Sequence, residues 1–269
     1  MYNEPQTISK ERQLYLKRQK RGKQKVLFWQ IAILVLFLAV WEIAGRLGLI
    51  DTFILSQPSR ILHTYANLTQ NGILEHIGVT VYETLVGFVL GAAMARCSPS
   101  SSGGGFISKV SEPYLVVLNS LPKIALGPVI IIWVGAGTSA IIVMALAISL
   151  IVTVLEMLNG FRSTNREHIK MARTFGASKR QIFTKIVFPG NIKTLFNSLK
   201  INIGLSLVGV IAGEFLVSKA GLGYLIVYGG QVFKLDLVMG SVIILSVVAA
   251  LMYEAVVLLE KAVTRHYGR

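Results

Sequence analysis

Apolar residues gather along this chain in runs of membrane length, divided by shorter polar stretches. The runs fall at about 26–44, 77–95, 113–134, 138–158, 195–217 and 237–259. The hydrocarbon core of a bilayer takes roughly 20 apolar residues per helix, so each run predicts one span. Pro122 and Pro128 interrupt the third. Trp29 and Trp41, near the ends of the first, suit the aromatic belts at the two membrane interfaces. Between the first two runs, residues 45–76 are mixed, with Pro58 and Asn71-Gly72 as breakers. Residues 221–236 read as a Gly-rich loop. The pattern predicts an all-α membrane protein with six transmembrane helices. A basic tail occupies 1–25, a transmembrane domain 26–259, and a short tail 260–269.

Composition supports that class. Hydrophobic residues make up 53% of the 269, and charged residues only 15%, against about 25% in soluble domains. Mean hydropathy is +0.63. The net charge of +14 fits either nucleic-acid binding or the gathering of Lys and Arg in cytoplasmic loops, and their placement decides. Eight of the 27 basic residues lie in 1–25 and another eight in 159–193. With the amino terminus inside, inside segments hold 21 and outside segments four, namely Arg46, Arg60, Lys219 and Lys234. Both termini are therefore expected in the cytoplasm, and no nucleic-acid partner is expected. The long basic start, with no small-residue cleavage site after the first apolar run, predicts a retained first span and not a cleavable signal peptide. The one cysteine, Cys97, permits no internal disulfide. It opens a Ser/Gly-rich run ending at Gly105, linker-like in composition.

The basic loop at 159–193 is the most informative segment. Thr164-Asn165-Arg166-Glu167 has the form of a capping box and predicts a short helix from about 165 to 175. Gly176 follows where a left-handed residue ends a helix. Ser178-Lys179-Arg180-Gln181 repeats the signature, and a second helix is expected to about 187, stopped by Pro189. On the first helix Ile169, Ala172 and Phe175 or Gly176 share a face. Such a helix suits a groove on a partner protein or the anionic surface of a bilayer; the residues alone leave both open.

The segment His168-Ile169-Lys170-Met171-Ala172-Arg173-Thr174-Phe175-Gly176, continuing to Ile186-Val187-Phe188-Pro189, resembles the EAA loop of bacterial ABC-importer permeases. Ala172, Gly176, Ile186 and Pro189 match at the family spacing. Lys170 replaces the usual Glu, Met171 the usual Ala and Phe188 the usual Leu. Two further stretches resemble a subfamily serving nitrate, sulfonate and taurine uptake: Leu121-Pro122-Lys123-Ile124-Ala125-Leu126-Gly127-Pro128, and Gly221-Leu222-Gly223-Tyr224 after Glu214. The resemblance implies a type I importer permease of MetI-like architecture in the bacterial inner membrane. It implies a homodimer with two ATP-binding cassette subunits and an extracytoplasmic substrate-binding protein, and a chain that is not itself an enzyme and carries no cofactor. Lys170, Met171, Ala172, Arg173, Phe175, Gly176, Ile186 and Pro189 would form the ATPase-docking loop. Arg173, Lys179 and Arg180 would pair with acidic groups there or simply solvate it. Nitrate, a sulfonate or taurine is the implied solute; the alternative is a vitamin precursor such as a thiamine pyrimidine or riboflavin. The competing class is a self-sufficient secondary transporter or channel, with a midplane site and no docking loop.

Ionisable residues within spans are costly and mark function by default. Candidates are Glu42, Glu83, Lys123, Glu156, Lys200 and Glu214. Lys123 and Glu83 are the candidate pathway residues, Lys123 because it follows Pro122 inside a span and would suit an anion. Gly87-x-x-x-Gly91 and Gly209-x-x-x-Gly213 predict close helix packing. Catalysis finds no support. The chain has no phosphate-binding G-x-x-x-x-G-K-S/T loop. The Gly135–Ala140 stretch lacks the strand context of a dinucleotide site, and His63, His76, His168 and His266 show no metal-ligand spacing.

Overall fold

The computed structural model describes residues 10–68, 72–96 and 105–267. Residues 97–104 of the Ser/Gly-rich run lie outside the described residues. Long helices account for the apolar runs: α1 (Lys10–Arg46), α4 (Ile73–Arg96), α7 (Thr138–Arg162), α11 (Ile192–Val217) and α13 (Leu235–Tyr267). At 1.5 Å per residue even the 24 residues of α4 reach about 36 Å, enough to cross the bilayer. The third run is broken. α5 (Gly105–Ser120) and α6 (Gly127–Val134) flank a 3-10 turn at Lys123–Leu126, and the pair bends by 82°. Pro122 explains the break, because it lacks a backbone N–H and clashes with the preceding turn, while Pro128 sits in the first turn of α6, where proline suits a helix start. Counting the bent pair as one span gives six.

The chain divides into two compact units, Met1–His63 and Thr64–Arg269. In the first, α1 runs without interruption from Lys10, so the described part of the basic tail is a helical extension of the first span. Glu42 bonds Arg46 at 2.7 Å and accepts from the Ser59 backbone N–H at 3.1 Å. It serves to fold the chain back after α1. Asp51 caps the short α2 (Thr52–Leu55) by accepting from Phe53 N–H at 2.8 Å.

The second unit is built around α7, packed between α4 and α11. The two small-residue pairs make this possible. A methyl on Gly209 would lie 2.5 Å from Ala145 Cα, one on Gly213 3.0 Å from Ile141 Cα, and one on Gly87 2.9 Å from Ala145 Cβ. Both pairs thus serve packing within the chain, against the Ile141–Ser149 stretch of α7. Ile141, Ala145 and Val210 form the core at that contact. Lys200 of α11 pairs with Glu260 of α13 at 2.6 Å, which accounts for a cation inside a span.

One expectation fails. Residues 222–231 are not a loop but a helix, α12 (Leu222–Gln231). Leu222 and Leu225 bury against Val248 of α13, with Ile77 and Val81 of α4 around them. That burial outweighs the intrinsic cost of glycine in a helix, which is about 1 kcal/mol per residue.

Candidate functional site

The basic loop folds as two short helical stretches. α8 (Arg166–Thr174) is capped by Asn165, whose side chain accepts from Glu167 N–H at 2.8 Å. The cap is therefore Asn165 and not Thr164. Thr164 instead accepts from Asn191 Nδ2 at 2.7 Å, tying the loop's entry to its exit. At the other end Gly176 takes φ +75°. Its N–H donates to Arg173 O at 2.9 Å, and Ala177 N–H donates to Ala172 O at 3.0 Å. These two bonds are the Schellman pattern, which satisfies the last carbonyls of α8 and reverses the chain.

The expected second capping box is present. Ser178 Oγ accepts from Gln181 N–H at 3.3 Å, and Gln181 Oε1 accepts from Ser178 N–H at 2.8 Å. From there α9 (Lys179–Ile182), a π turn (Phe183–Val187) and α10 (Phe188–Gly190) form one helical path. Pro189 thus does not stop the helix near 187; the π turn ahead of it absorbs the strain, and the path ends at Asn191. Asn191 Nδ2 also donates to Val187 O at 2.8 Å. Phe183 meets Phe161 edge-on at 5.5 Å, seating the second stretch on the end of α7.

Capped at both ends, α8 presents a definite outer face. Phe175 is 82% exposed and Met171 55%; four residues apart, they share one side of the helix. Lys170 and Arg173 are exposed beside them, while Ile169 and Ala172 are half-buried toward the chain. Phe175 therefore leaves the face on which it was expected and joins Met171. A methyl on Gly176 would meet nothing within 4 Å, so the surface there is open. Ile186 and Pro189 are half-buried in the second stretch.

The end of the bundle opposite this loop holds a buried polar cluster. Glu214 Oε1 accepts from Thr80 Oγ1 at 2.6 Å and Oε2 from Gly223 N–H at 2.5 Å. Thr80 Oγ1 accepts from Leu222 N–H at 2.8 Å, and His76 Nδ1 from Gly221 N–H at 2.9 Å. The first N–H groups of α12, which have no partner within the helix, are thus met by side chains of α4 and α11. Gly221 and Gly223 leave the necessary space, since a methyl on either would strike the Glu214 carboxyl. Glu83 lies beside Glu214 and Thr138, with 1% of its surface exposed. It lies in the packed interior of the protomer. Lys123 sits half-buried in the 3-10 turn. Its Nζ donates to Asn119 O at 2.9 Å and to Asn119 Oδ1 at 3.0 Å, so the cation closes the end of α5. His76 and Thr80 carried no local signal, and Gly221 stood out only through the likeness of the Gly221–Tyr224 stretch. Their roles depend on contacts more than 130 residues apart. Among the described residues no three of His, Cys, Asp and Glu gather as a metal site.

A model of the binding-protein-dependent transport system inner membrane component family matches residues 87–268. The chain belongs to this family. It is similar to a Bacillus subtilis (strain 168) protein named as an aliphatic sulfonates transport permease, SsuC. The two are 27% identical over 252 residues, covering 91% of this chain and 90% of that one. It is also similar to the taurine transport system permease protein TauC of Escherichia coli (strain K12), at 25% identity over 253 residues and 88% and 89% coverage. A solved chain of the MetNI methionine ABC transporter, in an inward-facing conformation, shares the fold with a TM-score of 0.57 and 20% identity. The match covers 72% of this chain and 94% of that chain. This permease is thus a multi-pass transport component of an ABC importer, with the MetI-like fold. Its family implies ATP-binding subunits and a substrate-binding protein as partners, and a self-sufficient secondary transporter is not favoured.

Proposed function

We propose that α8 is the element on which the ATP-binding subunit docks, and that two copies of this permease form the pathway. The observation that carries this is the rigid outward pair Met171 and Phe175 on a helix fixed by Asn165 and Gly176. A monomer gains nothing from exposing a phenylalanine on a polar loop, and apolar anchors of this kind concentrate binding energy in interfaces. Lys170, Ala172 and Arg173 complete the contact, with Ile186 and Pro189 in the second stretch. Asn191 links the loop to α11, so force applied at α8 enters a span directly. The distribution of Lys and Arg supports cytoplasmic termini and a cytoplasmic loop, with residues 1–25 and 260–269 as tails around the spans.

The solute we propose is a small sulfonate-class compound such as taurine, by likeness to the named relatives. Lys123 at the broken span keeps one N–H beyond its two bonds to Asn119, and an anionic group passing the break would meet it. The test is copurification of the ATP-binding subunit with Gly176→Asp. The space at Gly176 is open, but its φ of +75° strains any side chain there, so membrane insertion is measured alongside, and loss of copurification by a variant that still inserts supports docking. Uptake that persists with no ATP-binding subunit present would sink the proposal.

A further inference from the structure

The Glu83–Glu214 pair has no part in docking. Glu83 and Glu214 are each 1% exposed. α4 carries His76, Thr80 and Glu83 along one face, α11 brings Glu214, and Thr138 stands at the start of α7. Donors are unevenly divided between the two carboxyls. Glu214 receives Thr80 Oγ1, Gly223 N–H and Tyr224 N–H. Neither oxygen of Glu83 has a hydrogen bond of good geometry. The charge that faces Glu83 is Glu214, with the Thr138 hydroxyl alongside. From the other packed elements, His76 offers Nδ1 as an acceptor to Gly221 and stacks on Tyr224. Lys219 and Lys234, in the loops flanking α12, are exposed. Two buried carboxyls, one of them with no donor at hydrogen-bond geometry, call for a positive charge between them.

We propose that Glu83 and Glu214 hold one monovalent cation between their carboxyls, a proton or a sodium-sized ion, with the Thr138 hydroxyl as an added oxygen partner. The cation fastens α4 to α11 and, through Glu214, to the first turn of α12. Without it the two like charges push α4 from α11. The donor set is all oxygen, which suits a hard ion and gives a transition metal no nitrogen or sulfur ligand.

The test uses the full-length permease in lipid nanodiscs, with thermal unfolding followed by intrinsic fluorescence. In one arm sodium chloride replaces choline chloride at constant ionic strength and neutral pH. In the other, pH falls from neutral into the mildly acidic range in choline. The midpoint should rise by several degrees in the sodium arm if the ion is an alkali cation, or in the acid arm if it is a proton. Glu83→Gln, of equal volume and with amide donors for Glu214, should abolish that response and melt near the cation-saturated wild type. If that variant does not fold, Glu83→Lys, which carries its own cation, should show the same loss. A midpoint flat in both arms overturns the proposal. So does an acid-induced rise that survives in Glu83→Gln; His76 would give the opposite sign, because a proton on Nδ1 removes the acceptor of the Gly221 N–H. The readout needs no ATP-binding subunit, so it fails or succeeds separately from docking.

Discussion

Phe175→Ala isolates the docking surface. The ring is 82% exposed, so removing it should leave the protomer's own folding almost unchanged. Burying a phenylalanine side chain contributes about 1.5–3 kcal/mol. Scaled by the fraction still available to a partner, the loss on docking should be roughly 2 kcal/mol, or about 30-fold in Kd. Met171, 55% exposed, should lose about 1 kcal/mol on truncation to alanine. The pair should fall short of additivity, because the two share one helix face. The assay is the affinity of the ATP-binding subunit for nanodisc-held permease by biolayer interferometry, with a thermal melt of each variant alone as the control. A Kd within about twofold of wild type, a change of under roughly 0.5 kcal/mol, together with an unchanged melt, would refute the assignment of α8 as the contact.

Gly209→Ala places a methyl 2.5 Å from Ala145 Cα and should cost about 1–3 kcal/mol by forcing α11 from α7; an unaltered thermal midpoint would disprove the close approach. Ser178→Ala removes a capping box and should cost about 1 kcal/mol locally. Hydrogen exchange should then quicken at residues 179–182 while α7 and α11 keep their protection; uniform protection throughout would contradict this. Lys200→Met or Glu260→Met strands one member of a 2.6 Å pair and should cost about 1–3 kcal/mol, with the double substitution close to neutral. A double-mutant cycle with no coupling would show that the pair does not bind α11 to α13.

The spans were legible because lipid leaves the chain little choice: every backbone polar group must be satisfied within a helix, so apolar length alone reports them. The loop was legible for a different reason. Ser178 and Gln181, and the left-handed Gly176, are local devices whose partners lie within a few residues. Thr164 and Asn165 show the limit of such signals. Either can cap, and the choice of Asn165 rests on Asn191 claiming Thr164 from 27 positions away. α12 was invisible for the same reason in stronger form. Its glycines at 223, 229 and 230 mark a loop by propensity. What makes them helical is burial of Leu222 and Leu225, with first-turn donors met by Glu214 and Thr80. Glu83 could be singled out as costly, but nothing local connects it with a carboxyl on another span.

The two polar regions sit at opposite ends of one unbroken helix. α11 begins directly after Asn191, the residue joined to both Thr164 and Val187, and runs 26 residues, about 39 Å, to end three residues past Glu214. It contains no proline, so no break absorbs a displacement applied at the loop. Nor can α7 let it slide freely. At Gly209 and Gly213 the helices touch backbone to backbone, and a close-packed interface of that kind shifts between discrete seatings and does not deform smoothly. α7 and α11 should therefore move as one body, carrying Glu214 and the first turn of α12 with them. The compliant element must lie elsewhere. The bend of 82° at Pro122 is the place where the bundle already gives up helical continuity. A movement begun at α8 then reaches Glu214 along a stiff path, while the α5–α6 break takes up the change of shape.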